Sequence, residues 1–300
     1  MSFRSFSPGP LLSRFVRSFW HYQTGPQPHP RSRGLPSGTA QLIVDLGGDG
    51  VGIPDACVTG CAATVAGALF NGADTRCTLD AGGSPLHYMG VNFTPGGAYP
   101  FVGPPGGELR NAHLPLDTLW GIRAVDELRE RLMQTQTPEQ RWQLLEAALL
   151  AQLARPLDHH PAVRLALRAF AAAPRGPTIA GVVDQLALSH SRFIALFRDE
   201  VGLSPKQFCR VRRFVRVLQH IYPEERPNWA QVAAECGYSD QAHLTRDFQQ
   251  FAGVSPTVFL RDRSARNPTC LRLPPTDAPA EEAPSRRPYC LELTRFGGDL

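Results

Sequence analysis

The sequence predicts an α+β multidomain protein: an N-terminal β-rich barrel or sandwich, a helical middle segment, and a C-terminal all-α double helix-turn-helix region. Three observations predict this. Residues 1 to about 120 carry recurrent Gly and Pro and short runs of alternating hydrophobicity. From Ile122 the apolar residues switch to helical spacing. Between Thr178 and Asp262 one phrase is written twice, which fixes a repeat architecture. Three hundred residues are enough for two domains with their own cores, and 42% hydrophobic with 19% charged residues is the composition of an ordinary globular chain.

In the first part, Gln41–Leu46 alternates so that Leu42, Val44 and Leu46 share a face. Leu86–Phe93 is a second strand, closed by the turn signal Thr94-Pro-Gly-Gly97. Val58–Phe70 and Thr75–Leu79 supply further strands. In the middle segment, 121–173, Val125, Leu128 and Leu132 form one stripe. Thr137-Pro-Glu-Gln140 is a capping box with Pro at the first helical position, and Trp142, Leu145, Leu149 and Leu153 follow on one face. Pro161 starts another helix with Val163, Leu167 and Phe170 inward. This segment either dimerises or packs on the barrel. Pro174-Arg-Gly-Pro177 reads as a hinge, and the Pro-rich stretch 267–300 reads as a disordered tail in which Tyr289–Phe296 is a strand candidate.

The repeat occupies 174–266. Leu188-Ser-His-Ser-Arg-Phe193-Ile-Ala-Leu-Phe197 with Val201-Gly-Leu-Ser-Pro205 is answered by Tyr238-Ser-Asp-Gln-Ala-His-Leu244-Thr-Arg-Asp-Phe248 with Ala252-Gly-Val-Ser-Pro256. The offset is 51 residues, with one extra residue in the second copy upstream of Phe193. Asn228 caps the first helix of the second copy, Gly237 ends it, Ser239 caps the next, and Gly253 ends that one. Two helices joined by such a turn place the second in a DNA major groove. Pro205–Tyr222 has no internal breaker and forms one helix about 27 Å long. Phe208, Val211, Val215 and Leu218 stripe one side of it, and Arg210, Arg212, Arg213 and Arg216 crowd the rest. Such a rod holds two readers at a spacing that suits major-groove faces about 34 Å apart.

This double motif resembles the DNA-binding region of the AraC/XylS family of bacterial transcription regulators over roughly Thr178–Arg263. Leu35–Leu46 and Val91–Gly97 resemble the cupin-like sensor domain attached to some members. The resemblance implies a double-stranded DNA partner, an unidentified small-molecule effector held in the N-terminal domain, RNA polymerase and a second copy of the chain as further partners, no membrane, and no bond-making chemistry.

Residue chemistry agrees. Residues 174–266 hold 13 Lys+Arg against 9 Asp+Glu, so the basic excess sits in the repeat, as a phosphate-binding surface requires. On a helix with Leu244 and Phe248 inward, Gln241, Thr245, Arg246 and Gln249 project outward. Gln pairs adenine, Arg guanine, and a Thr methyl meets a thymine methyl. The first reader offers Ser191, Arg192, Ile194 and Arg198, more for phosphate or methyl contacts than for direct readout. By residue type, Trp20, His21, Tyr22, Tyr88 and Phe93 are the effector-lining candidates.

No cofactor or metal is expected. His21, His29, His87 and His113 contain no His-x-His pair, and Cys57, Cys61 and Cys77 have loose spacing without a neighbouring His. Seven scattered cysteines fit a reducing cytoplasm, and neither a leader with an apolar core nor a run of about 18 apolar residues is present. Two rival readings stay open: a DNA-repair or stress-response protein with a reactive thiolate, for which Cys209 beside Arg210 is the only candidate, and a metal or redox sensor through Cys57, Cys61 and Cys77.

Overall fold

The computed structural model describes residues 2–25, 32–48, 50–52, 64–65, 67–80, 86–172, 178–221, 226–264 and 267–272. The N-terminal part contains β1 (Ser2–Phe6), β2 (Val16–Gln23), β3 (Ser32–Gly34), β4 (Gln41–Asp45), β5 (Val51–Gly52), β6 (Thr64–Val65), β7 (Ala68–Asn71), β8 (Thr78–Asp80), β9 (His87–Phe93) and β10 (His113–Pro115). Helices follow: α1 (Asp117–Trp120), α2 (Ile122–Gln134), α3 (Pro138–Ala151) and α4 (Pro161–Ala172), then α5 (Ile179–Val183), α6 (His190–Val201), α7 (Pro205–Ile221), α8 (Trp229–Glu235), α9 (Gln241–Ala252) and α10 (Pro256–Asp262). Two short strands, β11 (Arg263–Ser264) and β12 (Asn267–Arg272), close the described chain.

All strand pairs among the described residues are antiparallel. The main sheet has six strands in the order β1-β2-β9-β4-β7-β10, a second has the order β11-β12-β3-β8, and β5 pairs with β6. The predicted alternation holds: Leu42 and Val44 are buried on the same face as Phe19, Val91 and Phe70. That face carries the N-terminal core, and α2 and α3 cover it through Val125, Leu128, Leu132, Leu145 and Leu149. Burying a face of this kind contributes roughly 25 cal/mol for each Å² of apolar surface removed from water.

The middle segment therefore divides. Helices α2 and α3 pack on the sheet, whereas α4 buries Val163, Ala166 and Phe170 in the C-terminal core, with the Phe170 ring 6.0 Å from that of Phe197. Thr137 accepts from the Gln140 N–H at 3.3 Å, as the capping box predicts. Leu153 departs from its predicted stripe: α3 ends at Ala151, and Leu153 lies exposed beyond it. Residues 267–272, expected as the start of a tail, form β12 and pair with β3, because an open strand edge presents unpaired N–H and C=O groups that an extended segment satisfies. The hinge Pro174–Pro177, Cys57, Cys61, the segment 58–63 and the tail from 273, including Tyr289–Phe296, lie outside the described residues.

Candidate nucleic-acid interface

Each reader is built by local capping. Thr178 accepts from the Gly181 N–H at 3.0 Å and starts α5; Ser189 accepts from the Arg192 N–H at 3.3 Å and starts α6. In the second copy Asn228 starts α8, and Gly237, at φ 81°, reverses the chain. Asp240, not Ser239, caps α9: its carboxylate accepts from the His243 N–H at 2.7 Å, while the Ser239 hydroxyl donates to its other oxygen at 3.1 Å. Those hydrogen bonds, the backbone one first, hold the Asp240 carboxyl below the usual carboxylate range. Carboxylate wins the cap because it also complements the positive end of the helix. Gly202 at φ 85° and Gly253 at φ 70° end the two readers in the left-handed region that favours glycine.

Asp240 as the cap fixes the register of the two readers. Ser189 matches Asp240, so the 51-residue offset holds from the cap onward and the extra residue of the second copy lies before it. His190 thereby falls opposite Gln241, each the first residue of its helix and each exposed. Aligning the two serines hides that match.

On α9, Leu244 and Phe248 are buried, Gln241, Arg246 and Gln249 are exposed, and Thr245 is half-buried. The Arg246 Nε donates to the Ala242 carbonyl at 3.3 Å, which steadies the guanidinium along the outer face. On α6, Ser191 and Arg192 are exposed and Ile194 packs partly against the C-terminal core. Arg198, although exposed, runs along Gly107 of the N-terminal domain, close enough that a Cβ on Gly107 would meet its side chain at 2.9 Å.

The arginines of α7 do not form a free basic strip. Arg210 donates to Asp247 and to Gln250 and lies over the Phe251 ring. Arg213 sits over the Tyr238 ring, 5.3 Å from its centroid, and Arg216 donates to the Phe170 and Ala171 carbonyls at 3.3 Å. Burial lowers Arg212 to about 10, with Arg216 and Arg17 adding to the effect. These cations join α7 to α9, to the turn before it and to α4, while Phe208, Val211, Phe214, Val215, Val217, Leu218 and Ile221 fill the core beneath.

The end of α6 is docked on the N-terminal domain. Glu200 and His159 form a buried pair at 2.8 Å, and the His160 N–H donates to the same carboxylate. The Gly106 N–H donates to the Asp199 carbonyl at 2.7 Å, and a Cβ on Gly106 would lie 2.9 Å from the Gly202 nitrogen. Between the two domains, Ala73, Gly96, Gly106 and Gly202 help line a cavity of about 20 Å³, room for a single water.

The effector candidates separate by strand alternation. Trp20, Tyr22 and Tyr88 share one face of the main sheet, with Trp20 lying across Gly90, where a side chain would collide with the indole. The Trp20 Nε1 is buried without a hydrogen-bond acceptor among the described residues. His21 and Phe93 face the other way, into the helix-covered core. Phe93 packs against Phe101, and the His21 Nε2 meets the His87 Nε2 at 3.0 Å and Arg141 at 3.4 Å. The sequence pattern already carried this division, since residues of opposite parity on one strand cannot line one surface.

Among the described residues no cluster of three metal-ligating side chains exists. Burial pushes the Cys209 thiol above its ordinary value despite Arg213, Arg216 and Arg212, and pushes Cys236 up to about 11. Neither cysteine is an activated thiolate.

This arrangement defines a protein with two linked helix-turn-helix units on one scaffold, joined to a β-rich domain. Residues 182–262 match the family described as a helix-turn-helix domain, and residues 4–115 match a domain of unknown function, DUF6597. The chain is 36% identical over 72 residues to the probable transcriptional regulator LumQ of Photobacterium leiognathi, covering 24% of this chain and 29% of that protein. It is 29% identical over 101 residues to the HTH-type transcriptional regulator AlkR of Acinetobacter baylyi, 33% of each. The matched stretch thus spans about a third of these relatives' length. Solved structures of ToxT from Vibrio cholerae align over 87% of this chain and 98% of theirs at 9% identity and a TM-score of 0.40; one bound to (E)-4-(8-methylnaphthalen-1-yl)but-3-enoic acid aligns at 11% identity and 0.41. The C-terminal region, residues 182–262, is thus similar to helix-turn-helix domains, and the chain shares partial similarity with two transcriptional regulators.

Proposed function

We propose that the chain is a sequence-specific, double-stranded-DNA-binding transcription regulator of the AraC type, acting in the cytoplasm and carrying out no bond-making reaction. The carrying observation is the outer face of α9, where Gln241, Arg246 and Gln249 stand exposed on a helix whose inner face is locked by Leu244 and Phe248. Gln and Arg on such a face read purines in the major groove. Thr245 adds a methyl contact, and the first reader supplies phosphate contacts from Ser191, Arg192 and Arg198 and a methyl contact from Ile194. The similarity to the probable transcriptional regulator LumQ and the HTH-type transcriptional regulator AlkR supports this reading.

A small-molecule effector would bind on the sheet face bearing Trp20, Tyr22 and Tyr88, where the Trp20 N–H, unpartnered among the described residues, offers a donor. RNA polymerase and a second copy of the chain are its further partners. The test is a random-oligonucleotide selection with the full chain at moderate ionic strength. A consensus that Arg246→Ala weakens supports the reading; recovery of no preferred sequence defeats it.

A further inference from the structure

We propose that His190 is a base-reading residue of the first helix-turn-helix, its imidazole donating a hydrogen bond to an acceptor on a purine edge in the major groove. The inference rests on the DNA-binding reading above and adds a residue to it.

Three observations carry it. The caps align Ser189 with Asp240, which puts His190 at the place held by Gln241 in the second reader. Residues at the start of a recognition helix are those that reach base edges. Second, every other histidine among the described residues has a ring partner: another imidazole, a carboxylate, an amide, a hydroxyl or a backbone N–H. His190 is exposed, and no hydrogen bond or ion pair holds its ring among the described residues.

Third, the rest of α6 has little polar chemistry to offer. Its last turn is held by Gly106 of the N-terminal domain through the Asp199 carbonyl and by His159, ahead of α4, through Glu200, and Arg198 runs along Gly107. Ile194 and Ala195, half-buried, bring only methyl groups. Arg192 matches His243, whose ring in the second unit turns back onto Ser239 at 3.1 Å. Polar readout by the first reader therefore falls on its opening residues. A neutral imidazole carries one donor and one acceptor, and guanine N7 and O6 or adenine N7 are acceptors in the major groove.

The test uses the full chain and the consensus from the selection above. His190→Ala, His190→Gln and Arg246→Ala are titrated against the consensus, its single-base variants and a scrambled duplex, each at two salt concentrations. His190→Ala should weaken consensus binding about 5- to 150-fold. It should flatten the preference at one base position and leave scrambled binding and the salt slope unchanged. His190→Gln should regain affinity when that position is adenine, because Gln pairs adenine through two hydrogen bonds. An unchanged affinity for His190→Ala overturns the proposal. Equal loss on consensus and scrambled DNA with a shallower salt slope also overturns it, since that marks a phosphate contact. If Arg246→Ala discriminates and His190→Ala does not, only the His190 role fails; if no consensus emerges, the underlying reading fails with it.

Discussion

Arg246 is the residue on which sequence and structure agree most directly, since a polar face opposite Leu244 and Phe248 follows from helical spacing alone. Arg246→Ala should cost about 1–3 kcal/mol of specific binding while scrambled DNA is unaffected, as a fluorescence-anisotropy titration would show. Ala195→Ser, at the matching place on α6, should change affinity by no more than about 0.5 kcal/mol in the same titration. A pH effect belongs at this scale too. Burial raises the Asp74 carboxyl to about 7 against the pull of Arg76, and its Oδ1 lies 3.7 Å from the His113 Nε2. The fold thus favours the protonated acid: its contribution is complete below the ordinary carboxylate value and is lost as pH rises through about 7. His21, which burial, His87, Arg141 and Arg4 lower to about 4, acts in the opposite sense, contributing above the ordinary imidazole value and losing that contribution as pH falls towards 4. Asp74→Asn should therefore gain on the wild type in urea midpoint between pH 5 and pH 8.5; a gap independent of pH would contradict the burial argument. None of this was legible in the sequence, because Asp74 sits in the loop between β7 and β8 with no pattern around it. The split of Trp20, Tyr22 and Tyr88 from His21 and Phe93 was legible, but residue type masked it.

Helix α7 shows what spacing reveals about an element and what it conceals. Its length and apolar stripe follow from the absence of breakers and the positions of Phe208, Val211, Val215 and Leu218. The fate of its arginines does not follow, because the acceptors they meet come from helices far away in sequence: Asp247 and Gln250 on α9, and the last carbonyls of α4. A guanidinium has five donors and a long apolar stem, so it satisfies such acceptors while packing over Phe251 or Tyr238. Arg210→Ala leaves the buried Asp247 without its partner and should lower stability by about 1–3 kcal/mol in denaturant unfolding. Loss of DNA affinity with unchanged stability would instead assign Arg210 to phosphate binding. The cap of α9 teaches a similar lesson: Ser239 and Asp240 are both good cap residues, and only the backbone geometry chooses Asp240.

Across the molecule, the division into a β-rich part and a helical repeat was legible from period, whereas the seam between them was not. Gly96, Gly106 and Gly202 look like ordinary turn residues in the sequence, yet they are what lets the end of α6 lie against the N-terminal domain. Glu200→Ala, which leaves His159 buried without its carboxylate, should cost about 3–5 kcal/mol, and thermal unfolding followed by circular dichroism would measure it. The arginine stitching has a last consequence, for the operator rather than the protein. Among the described residues α6 and α9 both pack on α7, which holds the two readers in one helical phase. One base pair inserted between the two half-sites turns one about 35° around the duplex axis relative to the other. Such an insertion should abolish tight binding, and removing Arg210 should restore part of the tolerance by giving the second unit a pivot.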